Sequence, residues 1–152
     1  MDERGESKMS FVEMIPKRLY IGGKISSADW EFIKNNITAI VNLRTKPDKP
    51  PFDFFGRIMI WAPLNVRVAP TLEWVLRLMK QLNQLMELKH RILIHDTVGK
   101  ERLGFVITAF YMQRYGLKHD SALIIVKQLK PDIKPPADYM KLLVQYEKHL
   151  GH

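Results

Sequence analysis

The sequence predicts an α/β domain whose central, mainly parallel sheet is flanked by helices, and three observations carry that prediction. Short apolar runs of strand length recur along the chain, separated by segments with helical periodicity. A long amphipathic helix stands directly before one such strand, and parallel pairing requires a crossover of that kind. The third observation is the stretch Arg91 to Gly104, RILIHDTVGKERLG, which reads as strand, tight loop and buried helix.

Length and composition bound the rest. At 152 residues the chain predicts a single domain over residues 11–152, large enough to bury a core without metals or disulfides, behind a polar tail at residues 1–10 expected to be disordered. Zero cysteines exclude a disulfide framework and thiol chemistry in this chain. The start MDERGESK lacks the apolar run of a signal peptide, and no apolar stretch approaches the roughly 18 residues of a membrane span. A soluble protein of the cytoplasm or nucleus is the expectation. Lys and Arg number 24 against 16 Asp and Glu, a net charge of +8, so this basic protein should attract anions. The basic residues, among them Lys17, Arg18, Lys46, Lys49, Lys127 and Lys130, never form a block of five, which favours a solvated basic surface over a nucleic-acid site.

In chain order, Val12 to Gly23 has a strand-like pattern stopped by the Gly22-Gly23 pair. Ser26 or Ser27 caps a helix through Asn36, with Asp29 and Glu31 in its first turn and Trp30, Phe32 and Ile33 as apolar contacts. Ile37 to Leu43 is a second strand. Arg44 to Phe55 holds three prolines among charges and reads as an irregular surface loop. Ile58 to Leu64 is the next strand, followed by Asn65-Val-Arg-Val-Ala-Pro-Thr. Thr71 caps a long helix to about Leu88, whose Leu72, Val75, Leu76, Met79, Leu82, Leu85 and Met86 recur at three- and four-residue steps and belong to the core. Arg91 to His95 is the strand after this crossover, and Leu103 to Tyr115 is apolar on nearly every face until Gly116 ends it. Lys118 to Lys130 forms another helix, Pro131 to Pro136 breaks it, and Ala137 to Leu150 is the last, with Tyr139, Leu142, Leu143 and Tyr146 inward.

The loop between His95 and Leu103 presents several backbone N–H groups to one point, with the positive end of a helix dipole behind them, which makes an anion cradle. His95-Asp96-x5-Arg102 resembles the phosphate loop of the cysteine-dependent protein tyrosine and dual-specificity phosphatases, His-Cys-x5-Arg followed by Ser or Thr. The order of elements from Leu19-Tyr-Ile-Gly onward, and the two helices after the central one, resemble the same family over about residues 12 to 150. The resemblance implies a dual-specificity phosphatase-like three-layer fold and a phosphate-binding loop of His95, Asp96, Thr97, Val98, Gly99, Lys100, Glu101 and Arg102. It also implies that three positions of the reaction are altered. Asp96 stands at the nucleophile position, where the family has a thiolate; Leu103 stands where a hydroxyl residue assists its departure; and Asn65, six residues before Thr71, stands at the general-acid position.

No intact catalytic set is therefore expected, nor any metal or other cofactor. The sequence predicts a pseudophosphatase, a binding or regulatory domain for a phosphorylated or acidic protein, an active phosphatase relative or that relative's substrate, with weak polyanion (RNA or phosphoinositide) binding as a further partner class. The alternative is an active phosphoprotein, phospholipid or RNA phosphatase whose natural Cys has been replaced by Asp96. A carboxylate nucleophile is the least favoured reading, because Asn65 cannot supply the proton for a leaving group and only Glu101 lies near in sequence as a second acidic ligand. For the retained residues, His95 is expected to bond backbone as a buried orienting group, while Arg102 either contacts an anion or pairs internally with Asp96 or Glu101. Two unit charges about 4 Å apart at an effective dielectric of about 20 interact by roughly 4 kcal/mol, enough for Asp96 to occupy the cradle itself.

Overall fold

The computed structural model describes residues 10–152, so the expected tail falls almost entirely outside the described residues. Five strands form one sheet in the order β1-β2-β5-β3-β4: β1 (Val12–Ile15), β2 (Leu19–Gly22), β3 (Ala39–Asn42), β4 (Ile58–Trp61) and β5 (Ile92–His95). All neighbours are parallel except β1 and β2, which pair antiparallel. The helices are α1 (Trp30–Asn36), α2 (Leu72–Glu87), α3 (Arg102–Tyr115), α4 (His119–Leu129) and α5 (Ala137–Leu150). The α/β fold with a mostly parallel sheet flanked by helices is the one the sequence predicts.

Alternation along the central strands divides two cores. Ile92 and Ile94 of β5, with Ala39 and Val41 of β3, face the large core that α2, α3, α4 and α5 cover. Leu93 and Ile40 point the opposite way, into a smaller core with Ile33 and Ile37 of α1 and its C-cap. A strand buried on both faces reads as a continuous apolar run, which is why Ile92–Leu93–Ile94 shows no polar alternation. The helix α2 buries Val75, Leu78, Met79, Leu82, Leu85 and Met86, each contributing about 1.5–3 kcal/mol relative to exposure. Thr71 caps it, its hydroxyl accepting from the Trp74 N–H at 3.2 Å.

Three segments depart from expectation. The run Val12 to Gly23 is two strands rather than one, because Pro16-Lys17-Arg18 turns the chain back and Lys17 takes a left-handed φ of 60°. The strand expected to reach Leu64 ends at Trp61, two residues before Pro63, which has no N–H for a ladder. Third, the Arg44 to Phe55 loop is not purely a surface segment. Its Phe52 and Phe54 pack on the smaller core, and Arg57 lies 5.1 Å and 5.8 Å from their ring centroids while donating to Ile37 O at 2.7 Å.

Candidate functional site: a loop closed on its own carboxylate

Strands β2, β5, β3 and β4 all end on one side of the sheet, and in open α/β sheets that edge is where ligands bind. The segment after β5 is positioned there by close backbone contact with the end of β2. Asp96 N–H donates to Gly22 O at 3.2 Å, and Lys24 N–H donates to Thr97 O at 2.9 Å. Gly99 has φ of +82°, and a Cβ added to it would stand 3.0 Å from Gly23 N; one added to Gly23 would stand 2.8 Å from Thr97 O. The Gly22-Gly23 pair, read from sequence only as a strand stop, is thus the surface on which the loop rests.

Asp96 is 1% exposed and occupies the centre of the loop. One carboxylate oxygen accepts the Gly99 N–H at 2.5 Å, the other the Leu103 N–H at 2.8 Å. Leu103 is in the first turn of α3, so the carboxylate satisfies a helix N–H that lacks an intrahelical partner and sits at the positive end of the dipole. Two donors, one in the loop and one at the start of α3, converge on an anion, and the anion is the chain's own. The Leu103 side chain lies wholly in the large core, so only its backbone faces the loop.

Arg102 does not pair with Asp96 or with Glu101, the internal pairing considered from sequence. Its guanidinium instead donates to Leu64 O at 3.1 Å, Leu43 O at 3.4 Å and the Thr97 hydroxyl at 3.2 Å. It is 7% exposed and ties three segments together. His95 contacts Asp96 O through Nδ1 at 3.2 Å, the backbone role expected of it, and has a second partner that sequence gave no sign of. Its Nε2 stands 2.6 Å from the Asp48 carboxylate, with both side chains almost fully buried. Asp48 therefore pins the Arg44 to Phe55 loop to the base of the site. Asp48→Ala should strand a buried imidazole N–H and cost about 1–3 kcal/mol, read as a Tm several degrees lower by calorimetry.

Of the other loop residues, Val98 is 61% exposed, Thr97 and Lys100 are exposed, and Glu101 is half-buried at the N-cap position of α3 with no capping bond from its side chain. Lys100 O accepts the Lys134 N–H at 2.8 Å, joining the loop to the turn before α5.

Above the loop lies a cleft of about 460 Å³ whose lining includes Arg44, Lys46, Asn65, Arg67, Thr97 and Arg102. Asn42, fully buried at the end of β3, shapes one wall: its amide donates to Lys46 O at 2.9 Å and its carbonyl accepts the Arg44 N–H at 2.8 Å. Trp61 Nε1 donates to Arg44 O at 2.8 Å. Asn65 shapes the other wall, its side-chain oxygen accepting Arg67 N–H at 2.7 Å and Val68 N–H at 3.2 Å. The buried Tyr139 hydroxyl donates to Asn65 O and Val68 O; burial pushes its phenol up to about 12, with Arg102 opposing, so it stays a donor. Asn65 thus builds a turn at the cleft edge.

Sequence reading gave no site role to Arg44, Lys46, Arg67, Asp48 or Tyr139. Arg44 and Lys46 carried a signal in following the carboxyl end of a predicted parallel strand, and Arg67 in lying within the Asn65 to Thr71 segment.

A buried helix aiming its N-terminus at an anion, a strand-borne loop and an arginine at the carboxyl edge of a parallel sheet place the protein in the phosphatase-like class of α/β domains. The chain belongs to the dual-specificity phosphatase family, whose catalytic-domain model matches residues 19–149. It is 25% identical over 136 residues to mouse protein phosphatase Slingshot homolog 3, covering 85% of this chain and 20% of that protein. The chain therefore spans about a fifth of the length of this curated relative. Human DUSP28 superposes with a TM-score of 0.82 at 20% identity, over 96% of this chain and 98% of that one. The human tyrosine phosphatase-like serine/threonine/tyrosine-interacting protein superposes with a TM-score of 0.79 at 18% identity, over 95% and 100%. Among the described residues, no helix is long and apolar enough to cross a membrane.

Proposed function

We propose that this domain is a catalytically silent member of its family, a pseudophosphatase that acts by binding a phosphorylated or acidic protein partner. The observation that carries the reading is the buried Asp96 carboxylate, which stands where the family has its thiolate nucleophile and is bound into the loop by the Gly99 and Leu103 N–H donors. A carboxylate in that place repels the phosphorus substrate it would have to attack, and enzymes that use Asp as nucleophile offset this repulsion with a divalent cation. Asn65 is committed to backbone turns and has no proton to give a leaving group at neutral pH. Attack and leaving-group protonation are both unsupported. The protein named as tyrosine phosphatase-like and serine/threonine/tyrosine-interacting shares this fold.

The test is turnover. The purified chain should release no phosphate above blank from p-nitrophenyl phosphate or from phosphotyrosyl and phosphoseryl peptides, with and without Mg²⁺. A metal-independent rate that disappears in Asp96→Ala would overturn the reading in favour of a carboxylate nucleophile.

A further inference from the structure

We propose that the amino edge of the sheet, opposite the cleft, is a docking face for an anionic lipid bilayer. The inference goes beyond the silent-domain reading and does not rest on it, since no residue of the loop or the cleft takes part.

Strand register is the first argument. Leu19, Ile92, Ala39 and Ile58 stand level across β2, β5, β3 and β4, so the residues one position upstream form a row of Arg18, Arg91, Thr38 and Arg57. Neighbouring strands lie about 4.8 Å apart, so three guanidiniums stand along roughly 14 Å of edge. Arg18 Nη2 donates to Met86 O at 2.8 Å, Arg91 Nε to Asn36 O at 2.6 Å and Arg57 Nη1 to Ile37 O at 2.7 Å. Those carbonyls lie at the ends of α1 and α2, whose negative dipole ends would otherwise face outward here. Each guanidinium covers them and keeps at least one amino group without a described partner.

Strain is the second. Among the described residues, two that are not glycine have positive φ, Lys17 at 60° and Lys89 at 66°. Both flank the row, and their turns stand side by side: Arg18 Nη2 and the Lys89 N–H donate to the same Met86 O, at 2.8 Å and 3.1 Å. A left-handed turn disfavours any residue with a Cβ and ordinarily takes glycine or asparagine. Backbone strain of this kind concentrates at functional positions. Both lysines are exposed, and neither ammonium has a described hydrogen bond or ion pair. The fold thus holds two open positive charges where glycine would sit more easily.

Protruding apolar side chains are the third. Phe55, in the turn before Arg57, is 91% exposed, and Leu88, directly before Lys89, is 69% exposed. A Cβ added to the neighbouring Gly56 would meet nothing within 4 Å, so Phe55 stands clear of the surface. Cations around such tips suit a bilayer: charge draws the face to anionic headgroups, and the apolar tips enter the acyl boundary. Nucleic-acid phosphates would answer the row yet leave Phe55 and Leu88 in water, and a protein partner would have to supply a whole pocket for Phe55. Attraction to a bilayer draws on about 4–8 Lys and Arg presented together. Lys34, in the last turn of α1, joins the three arginines and two lysines of this edge. Of the nearby acids, Glu13 accepts the Lys17 N–H and the Tyr20 hydroxyl, and Asp53 accepts the Phe55 N–H. Glu87 is the exposed acid there without a described hydrogen bond. Docking by this face turns the cleft, at the other end of the strands, toward solvent.

The experiment is co-sedimentation of the full chain with vesicles of phosphatidylcholine alone and of phosphatidylcholine carrying roughly 30% phosphatidylserine. The anionic vesicles should bind roughly 10-fold or more tightly than the neutral ones, less so as salt is raised. Lys17→Gly/Lys89→Gly should weaken that binding roughly 10- to 100-fold while its Tm holds or rises, because glycine accepts both left-handed turns. Phe55→Ser should weaken it roughly 10-fold and keep the salt dependence, the signature of an apolar contribution. Lys127→Gln/Lys141→Gln, an equal loss of charge at exposed positions on α4 and α5, should stay within about 2-fold. No preference for the anionic vesicles, equal loss in both double variants, or a Phe55→Ser protein that binds like wild type would overturn the proposal. So would a polyglutamate peptide or a short RNA that binds as tightly as the vesicles at the same salt, which would assign the face to another polyanion.

Discussion

Asp96→Ser is expected to lower stability and, at the same time, to create an anion site that the wild-type loop lacks. The carboxylate makes two charge-assisted bonds, to Gly99 and Leu103, at the positive end of a buried helix. Hydrogen bonds to charged groups contribute about 1.5–3 kcal/mol each, so the variant should melt well below wild type in phosphate-free buffer. Serine is shorter and neutral, and leaves both N–H groups facing the vacated volume. Phosphate or sulfate that binds there stabilises the native state alone, restoring about 2.7 kcal/mol at a concentration 100-fold above its Kd. Because basic side chains also line the cleft above, the readout must be local: the amide resonances of Gly99 and Leu103 should shift on titration in the variant and stay still in wild type. Equal shifts of these two amides in both proteins would refute the self-occupied loop. Arg102 is tested on this background as Arg102→Lys. Truncation to alanine would strand the buried Leu43 and Leu64 carbonyls and confound binding with unfolding. Lysine keeps the charge without the planar fork and should weaken the gained site if Arg102 swings in to share the anion.

What the sequence made legible follows from how local each signal is. Caps and stops act through the nearest few residues, so Thr71, the left-handed Gly116 and the bounds of α5 at Ala137 and Leu150 were readable. So was the loop from His95 to Arg102, because its donors and the acceptor they meet lie within seven residues of one another. The cleft was not readable. Its walls are built by Asn42, Trp61 and Tyr139 acting on backbone at Arg44, Lys46, Asn65 and Val68, and the Tyr139 contacts cross more than 70 residues of sequence. Asp48 was hidden for the same reason: a carboxylate between prolines looks like any solvated loop charge until the fold seats it 2.6 Å from His95. The Pro16 turn was misread because the apolar pattern continues on both sides of it, and periodicity alone does not register a reversal of direction.

Asp96→Cys alone should yield only feeble phosphatase activity, and adding Asn65→Asp should raise it selectively on alkyl phosphates. A cysteine at 96 would sit at the N-terminus of α3 against the Gly99 and Leu103 donors, the setting that favours a thiolate nucleophile. Two obstacles are built into the surroundings. Arg102 is held by the Leu43 and Leu64 carbonyls and would have to leave them to hold a phosphoryl group. Leu103 fills core space and offers no hydroxyl to help the thiolate depart. General-acid catalysis is typically worth about 10²–10⁴-fold, and Asn65 can supply none of it. An aspartate at 65 would do so only in part. In the wild-type turn the side-chain oxygen there accepts the Arg67 and Val68 N–H groups, and the same bonds to a carboxylate favour its charged form and hold the proton less readily. The expected improvement on an alkyl phosphate is therefore toward the lower end of that range, about 10²-fold, with little or none on p-nitrophenyl phosphate, whose leaving group departs without a proton. Steady-state rates of the single and double variants on both substrates decide the matter: if the double variant is no faster than Asp96→Cys on the alkyl ester, position 65 is not where this fold would place an acid.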